Sequence, residues 1–130
     1  MNEKDGSRFS WRARGRSFVY AMAGIKALLW QEHNARIHVC AAVAVIIVGL
    51  LTGLNPGEWV AISLCIGGVL MAEGFNSAIE ALADKTCPTH DPLIKRAKDM
   101  AAGAVLLFVI AAVVTGLIIF VPKFVKFFLL

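Results

Sequence analysis

The stretch WVAISLCIGGVLMAEGFNSAIEALAD, residues 59–84, decides the fold class. Its first part, residues 59–72, is wholly apolar or glycine or serine, and charged side chains enter only after it. At about 100° per residue, the polar residues that follow share one helical face about 100° wide. We call this the polar face, and its members are Glu73, Asn76, Ser77, Glu80 and Asp84. The pattern predicts a membrane-spanning helix over residues 58–85.

The polar face needs surroundings other than lipid. A carboxylate inside a spanning helix costs at least about 2.5 kcal/mol at mid-membrane, so it must meet a bundle interior, a cation or a water-filled cleft. The residues alone leave two interpretations open. Either the polar face carries chemistry, or Glu73 is a protonated packing residue while Glu80 and Asp84 already lie at the interface.

The rest of the chain supports an all-α integral membrane protein of one domain. Of its 130 residues, 58% are hydrophobic and the mean hydropathy is +0.73, whereas soluble domains are about 45–50% apolar. Two further spanning helices are predicted at residues 37–54 and 99–121, and Pro122 is expected to interrupt the second. A polar leader is expected at residues 1–16 and a loop at residues 86–98.

Residues 17–36 are predicted to form an amphipathic helix that lies in the membrane interface. Ser17 is a suitable cap for its start, and Glu32 and Arg36 have the i,i+4 spacing of an interacting pair. Apolar residues recur at spacings of four, three and four, and these are Phe18, Met22, Ile25 and Leu29.

The basic residues predict the orientation. The region through Arg36 carries seven Lys or Arg and residues 85–98 carry four, whereas only Lys123 and Lys126 follow the third span. The positive-inside rule therefore places the N-terminus and the second loop in the cytoplasm. The net charge of +4 flanks apolar segments instead of forming a basic domain, so nucleic acid is not an expected partner.

Several charged residues fall at the predicted cytoplasmic boundary. Glu32 and Glu80 together with phosphate oxygens suit a Mg²⁺ site. Lys98 and Asp99 lie at the same level, and Lys98 either pairs with a phosphate or simply contributes to orientation. The chain has no Walker loop and no protein-kinase signature, so composition and spacing alone do not indicate ATP binding.

Three motifs resemble those of one bacterial family. AEGFNSAIEALAD, residues 72–84, is similar to the signature E-x-x-N-[ST]-A-I-E of the bacterial diacylglycerol and undecaprenol kinases. RAKDMAAGAVLL, residues 96–107, resembles the A-K-D segment of that family, and QEHNARIH, residues 31–38, resembles its E-x-x-x-R segment. The resemblance covers roughly residues 16–122 in family order.

The resemblance implies a homotrimer with active sites shared between subunits, each subunit adding an amphipathic surface helix to its three spans. It implies transfer of the ATP γ-phosphoryl group to the hydroxyl of undecaprenol or diacylglycerol at the cytoplasmic interface. It also implies that Glu32 and Glu80 bind the metal and that Glu73 is the general base. Arg36 and Glu73 are the implied lipid substrate contacts. The implied ATP contacts are Tyr20, Glu32, Asn76, Glu80, Thr89, His90, Asp91, Lys98 and Asp99.

Two departures concern the substrate and the nucleotide. Diacylglycerol kinases usually carry an acidic residue at the position of His38, and the pattern with Asn34 and His38 looks more like the undecaprenol kinase branch. The family's N-terminal nucleotide-binding arginine has no unique match among Arg12, Arg14 and Arg16.

Two other classes of protein compete with the kinase interpretation. A small proton-coupled transporter could use an intramembrane Glu73 for proton exchange, but it needs neither Glu32 nor the Lys98–Asp99 pair. A membrane scaffold without chemistry leaves the polar face unexplained.

Overall fold

The computed structural model describes residues 10–129, and apart from short connections they are helical. Four helices follow one another along the chain. They are α1 (Trp11–Gln31), α2 (His33–Thr52), α3 (Pro56–Thr86) and α4 (Pro92–Phe128). Residues 1–9 of the predicted leader lie outside the described residues.

The prediction of three spanning helices is confirmed. Helices α2, α3 and α4 are each long and apolar enough to cross a membrane. In the apolar 18-residue stretch of each spanning helix, 28% of the residues are buried in α3, against 11% in α2 and 6% in α4. Helix α3 is therefore the central element, and its neighbours leave most of their apolar surface open to their surroundings.

The first helix begins earlier than predicted. It starts at Trp11 because the Ser10 side chain accepts a hydrogen bond from the Ala13 N–H at 3.4 Å. The prediction that Ser17 caps this helix is wrong, since the Ser17 hydroxyl donates to the Ala13 carbonyl at 3.0 Å from within the helix. Arginine is a good helix former, so residues 11–16 join α1 instead of the polar leader.

Glu32 divides the predicted amphipathic helix from its last residues. Its backbone is extended, with φ −95° and ψ 119°, and it serves as C-cap of α1 and N-cap of α2. Helix α2 therefore begins at His33 and not at Ile37. This break also changes the expected side-chain pairing, because Arg36 Nη2 lies 3.0 Å from His33 Nδ1. The hydrogen bond from Arg36 to Glu32 joins backbone atoms, with the Arg36 N–H donating to the Glu32 carbonyl at 3.4 Å.

The connection between α2 and α3 lies two residues earlier than predicted, at residues 53–55 in place of residues 55–57. Gly53 ends α2 with φ 68°, a left-handed conformation that favours glycine. Asn55 then caps α3, accepting from the Glu58 N–H at 3.0 Å while Glu58 Oε2 accepts from the Asn55 N–H at 2.8 Å. Pro56 occupies the first turn, where its missing N–H costs nothing. The predicted turn residues 56 and 57 are therefore helical.

Helix α4 is much longer than the 99–121 segment predicted. The Asp91 side chain accepts from the Leu93 and Ile94 N–H groups at 2.8 and 3.1 Å, which starts the helix at Pro92 and reduces the loop to residues 87–91. Pro122 does not interrupt the helix, which continues to Phe128. Prolines are tolerated in spanning helices where surrounding groups satisfy the freed carbonyl.

The helices pack through a few close approaches to α3. A side chain at Gly68 would overlap Phe108 of α4, so glycine is required for that contact. Leu28 of α1 lies against Gly74, since a Cβ there would be 3.6 Å from Leu28 Cδ2. These contacts hold α1 and α4 against α3 at the level where the polar face begins.

Candidate active site

The polar face of α3 is partly buried within the single chain. Glu73 is only 2% exposed and Asn76 only 7%, although both side chains are polar. Asn76 Nδ2 donates to Glu80 Oε1 one turn further along, at 3.3 Å. A buried carboxylate and amide on a spanning helix are expensive unless they serve a purpose. The burial of Glu73 agrees with both interpretations of the polar face, a site that carries chemistry and a packed, protonated side chain.

Two atoms of the polar face are buried without a hydrogen-bond partner. They are Asn76 Oδ1 and Ser77 Oγ. Buried polar groups in proteins are nearly always hydrogen-bonded, and leaving one unsatisfied costs roughly 1–3 kcal/mol. In the single chain these two atoms of the polar face are therefore unsatisfied.

An ion pair closes the end of the polar face against α4. Lys98 Nζ donates to Asp84 Oδ1 at 2.8 Å, which joins the two helices. Asp99 pairs with Lys95 at 2.5 Å in an exposed contact within α4. The structure thus brings Lys98 to the end of the polar face through a contact with Asp84, whose side chain is 71% exposed. Sequence reasoning placed Asp84 on the face but gave it no role, although its helical spacing from Glu80 was the available signal.

Glu32 lines an open cavity that borders the polar face at Ser77. This cavity of about 670 Å³ is bounded by α1, α2 and α3. Among the residues 10–129 that line it, the polar ones are Gln31, Glu32 and Ser77, and the others are apolar, alanine or glycine. Of the polar face, Ser77 alone belongs to this lining. Glu73, Asn76 and Glu80 do not line the cavity.

The remaining predicted nucleotide contacts are spread over the surface. Tyr20 on α1 is 70% exposed, and Thr89 and His90 are exposed in the loop before α4. Asp91 in the same loop already caps α4 through its carboxylate. The chain supplies these residues as accessible groups and does not converge them on one point.

The carboxylates fit a magnesium ion only in company with phosphate. Within residues 10–129, no group of three or more His, Cys, Asp or Glu side chains is arranged to hold a metal. Mg²⁺ is commonly bound by one or two carboxylates together with the phosphates of a substrate. Glu32 and Glu80 are carboxylates of that kind, but the single chain does not bring them to one cavity, because Glu32 lines the cavity bounded by α1, α2 and α3 and Glu80 does not. Asn76 donates to Glu80 and thereby orients it.

A second cavity of about 240 Å³ lies between α2, α3 and α4. Its lining is apolar apart from His38 and Cys65 and includes no residue of the polar face. The cavity is therefore separate from the candidate active site.

Comparison with known proteins shows that this helical membrane protein is a lipid kinase. It belongs to the prokaryotic diacylglycerol kinase family, whose sequence model matches residues 19–120. The resemblance seen in the sequence motifs is thereby confirmed, and the transporter alternative finds no support.

The relatives fall into two groups by name, undecaprenol kinase and diacylglycerol kinase. The undecaprenol kinase of Bacillus subtilis (strain 168) is 45% identical over 108 residues, which are 83% of this chain and 88% of that protein. The diacylglycerol kinase of Synechocystis sp. is 39% identical over 107 residues, 82% of this chain and 61% of the relative. The diacylglycerol kinase of Escherichia coli (strain K12) is 30% identical over 100 residues, 77% and 82% of the two chains.

Proposed function

We propose that this protein transfers the γ-phosphoryl group of ATP to the hydroxyl of undecaprenol, in a Mg²⁺-dependent reaction. The observation that carries the proposal is the buried Glu73 on a spanning helix. At the end of the polar face of this helix, Asp84 contacts Lys98 of α4. The polyprenol is preferred over diacylglycerol for two reasons. An undecaprenol kinase is 45% identical to this chain, and the Asn34 and His38 pattern resembles that branch of the family.

In this proposal, catalysis consists mainly of positioning and charge neutralisation. Lys98 pairs with a phosphate of ATP, exchanging part of its contact with Asp84 for the nucleotide. Glu32 and Glu80 hold Mg²⁺, which neutralises phosphate charge when bound. The unpartnered Asn76 Oδ1 is available to a donor of the bound complex. The accessible residues that complete nucleotide binding are Tyr20, Thr89, His90, Asp91 and Asp99.

The chemical step breaks one bond and forms one. The lipid hydroxyl oxygen attacks the γ-phosphorus, and the bond from that phosphorus to the β–γ bridging oxygen breaks, so ADP leaves. Glu73 accepts the hydroxyl proton as general base, a role worth about 10²–10⁴-fold in rate. Arg36, at the start of α2, contributes to lipid binding in the same proposal.

The proposal includes an assembly and an orientation. We infer a homotrimer with active sites shared between subunits, in the bacterial cytoplasmic membrane with the N-terminus in the cytoplasm. Supporting this, one chain leaves α2 and α4 mostly uncovered, and eleven of the thirteen Lys and Arg residues fall on the proposed cytoplasmic side. Helix α1, with Phe18, Met22 and Ile25 exposed, then lies as an amphipathic helix in the interface.

A single assay tests the proposed reaction. Purified protein in mixed micelles receives radiolabelled ATP and Mg²⁺ with undecaprenol or diacylglycerol side by side. We expect both to be phosphorylated and undecaprenol to give the higher kcat/KM. A higher kcat/KM for diacylglycerol would overturn the substrate preference, and no phosphorylation of either lipid would overturn the proposed reaction.

A further inference from the structure

Ser77 lies where the cavity under α1 meets the polar face. On α3 it is about 40° from Glu73 around the helix, one turn away. It lines the cavity of about 670 Å³, while the carboxylates Glu73 and Glu80 do not. Any molecule that enters from the cavity therefore meets Ser77 before it meets the proposed base.

The hydroxyl of Ser77 is buried without a hydrogen-bond partner, whereas Ser63 on the same helix is exposed and four other helix hydroxyls have partners. These four donate to a backbone carbonyl four residues earlier, at 2.8–3.0 Å, and they are Ser17, Thr52, Thr86 and Thr115. Such back-bonding satisfies a hydroxyl inside a helix without any ligand. Ser77 Oγ is buried but has no hydrogen-bond partner. Its capacity for one donated and two accepted hydrogen bonds is unused.

The cavity has the composition expected for an amphiphile. Its walls include Ile25, Leu28 and Leu29 from α1 and Leu70 and Met71 from α3. A pocket that is mostly apolar with a few placed polar groups binds an apolar body and fixes it through those groups. The Ser77 hydroxyl is a neutral group that can bind a neutral alcohol, whereas Glu32 is expected to meet the metal.

We propose that Ser77 Oγ forms a hydrogen bond with the hydroxyl of the lipid substrate and holds it beside Glu73. This inference rests on the proposed lipid kinase reaction, and it assigns recognition of the lipid hydroxyl to one residue. Residues four apart on a helix are neighbours, with Cβ atoms about 5–6 Å apart. A hydroxyl bound at Ser77 thus lies next to the carboxylate that accepts its proton.

The test compares Ser77→Ala with two matched variants. Ser77→Thr keeps the hydroxyl, and the family signature allows threonine at this position. Ser63→Ala removes an exposed serine from the same helix. We expect Ser77→Ala to lower kcat/KM for the lipid about tenfold, the scale of one lost hydrogen bond, with KM for ATP unchanged. Ser77→Thr should stay within about threefold of the unaltered protein and Ser63→Ala within about twofold.

A second measurement separates recognition of the hydroxyl from damage to the cavity. The inhibitor is the better lipid substrate with hydrogen in place of its hydroxyl. If Ser77 reads the hydroxyl, this analogue inhibits the unaltered protein and Ser77→Ala with the same inhibition constant. Weaker inhibition of Ser77→Ala would overturn the inference by showing that the cavity itself has changed.

The outcomes for Ser77 and for the kinase reaction are distinguishable. An unaltered protein that phosphorylates lipid while Ser77→Ala keeps its full kcat/KM would overturn the role of Ser77 and leave the reaction standing. An equal loss in Ser77→Ala and Ser77→Thr would also overturn it. An unaltered protein that phosphorylates no lipid would overturn both.

Discussion

The two ends of α3 treat their polar groups in opposite ways. At the amino-terminal end, Glu58 accepts from both the Asn55 N–H and Lys123 Nζ, at 2.8 and 3.0 Å, and Lys123 also donates to the Gly53 carbonyl at 3.3 Å. On the polar face, Asn76 Oδ1 and Ser77 Oγ are buried without partners.

This difference separates a structural role from a functional one. Where every polar group has a hydrogen-bond partner within the chain, as in the closed network around Glu58, the hydrogen bonds stabilise the fold. A buried polar group without a partner would cost stability. Where polar atoms on a helix lack partners, as on the polar face, they are free to bind a ligand. The unsatisfied atoms lower the stability of the fold, a trade that is common at functional sites. In this interpretation the same helix anchors the bundle at one end and carries the proposed site along its other half.

We expect the greatest loss of activity when a carboxylate proposed to hold Mg²⁺ is replaced. Glu80→Gln or Glu32→Gln should reduce lipid phosphorylation at least about 10³-fold, since a metal supplies several kcal/mol of charge stabilisation. Glu58→Gln, on the same helix as Glu80, is the matched control and should keep its activity. Rates are measured over a Mg²⁺ titration. Near-normal turnover of both site variants at low Mg²⁺ would contradict the assignment.

The next effect concerns the proposed base. Glu73→Gln keeps the size of the side chain but cannot accept the proton, so turnover should fall about 10²-fold or more. Nucleotide affinity, measured by binding of a non-hydrolysable ATP analogue, should be unchanged because Glu32, Glu80 and Lys98 are intact. A neutral effect on both would make Glu73 a packing residue.

A smaller effect distinguishes two lysines of α4. Lys98 reaches across to Asp84, whereas Lys95 pairs with Asp99 on its own helix and is exposed. Lys98→Arg replaces a compact ammonium with a wide fork, so we expect a loss of about tenfold or more in kcat/KM for ATP. Lys95→Arg should be nearly neutral. Equal activity of the two variants would leave Lys98 as an orienting charge only.

The sequence predicts the spanning helices well because hydropathy and length are local properties. Their ends are predicted less well. The caps Ser10 and Asp91 extend α1 and α4 beyond the predicted bounds through hydrogen bonds to neighbouring N–H groups. Pro122 is predicted to interrupt the third span, but α4 continues through it to Phe128.

The site is predictable in its composition but not in its contacts. Helical periodicity alone places the polar residues on one face of α3. The pairing of Lys98 with Asp84 depends on how α4 packs against α3, over a separation of 14 residues in sequence. The role proposed for Ser77 depends on a missing partner and a neighbouring cavity. Both are properties of the packed bundle, so a linear pattern does not reveal them.

The smallest effect is expected at the closed end of α3. Lys123→Gln removes the ion pair with Glu58, in which both side chains are about a quarter exposed (24% and 23%), but it leaves the Asn55 and Glu58 capping bonds in place. We expect the midpoint of thermal inactivation in micelles to fall by a few degrees, since a partly solvated ion pair contributes little. Lys126→Gln, an exposed lysine of the same segment, is the control and should not shift it. At temperatures below the transition, kcat and both KM values should be unchanged, because the closed network has no group facing the polar face. A fall in kcat of more than twofold in Lys123→Gln would show that the two ends of α3 are coupled, and the division into an anchoring end and a functional end would then be wrong.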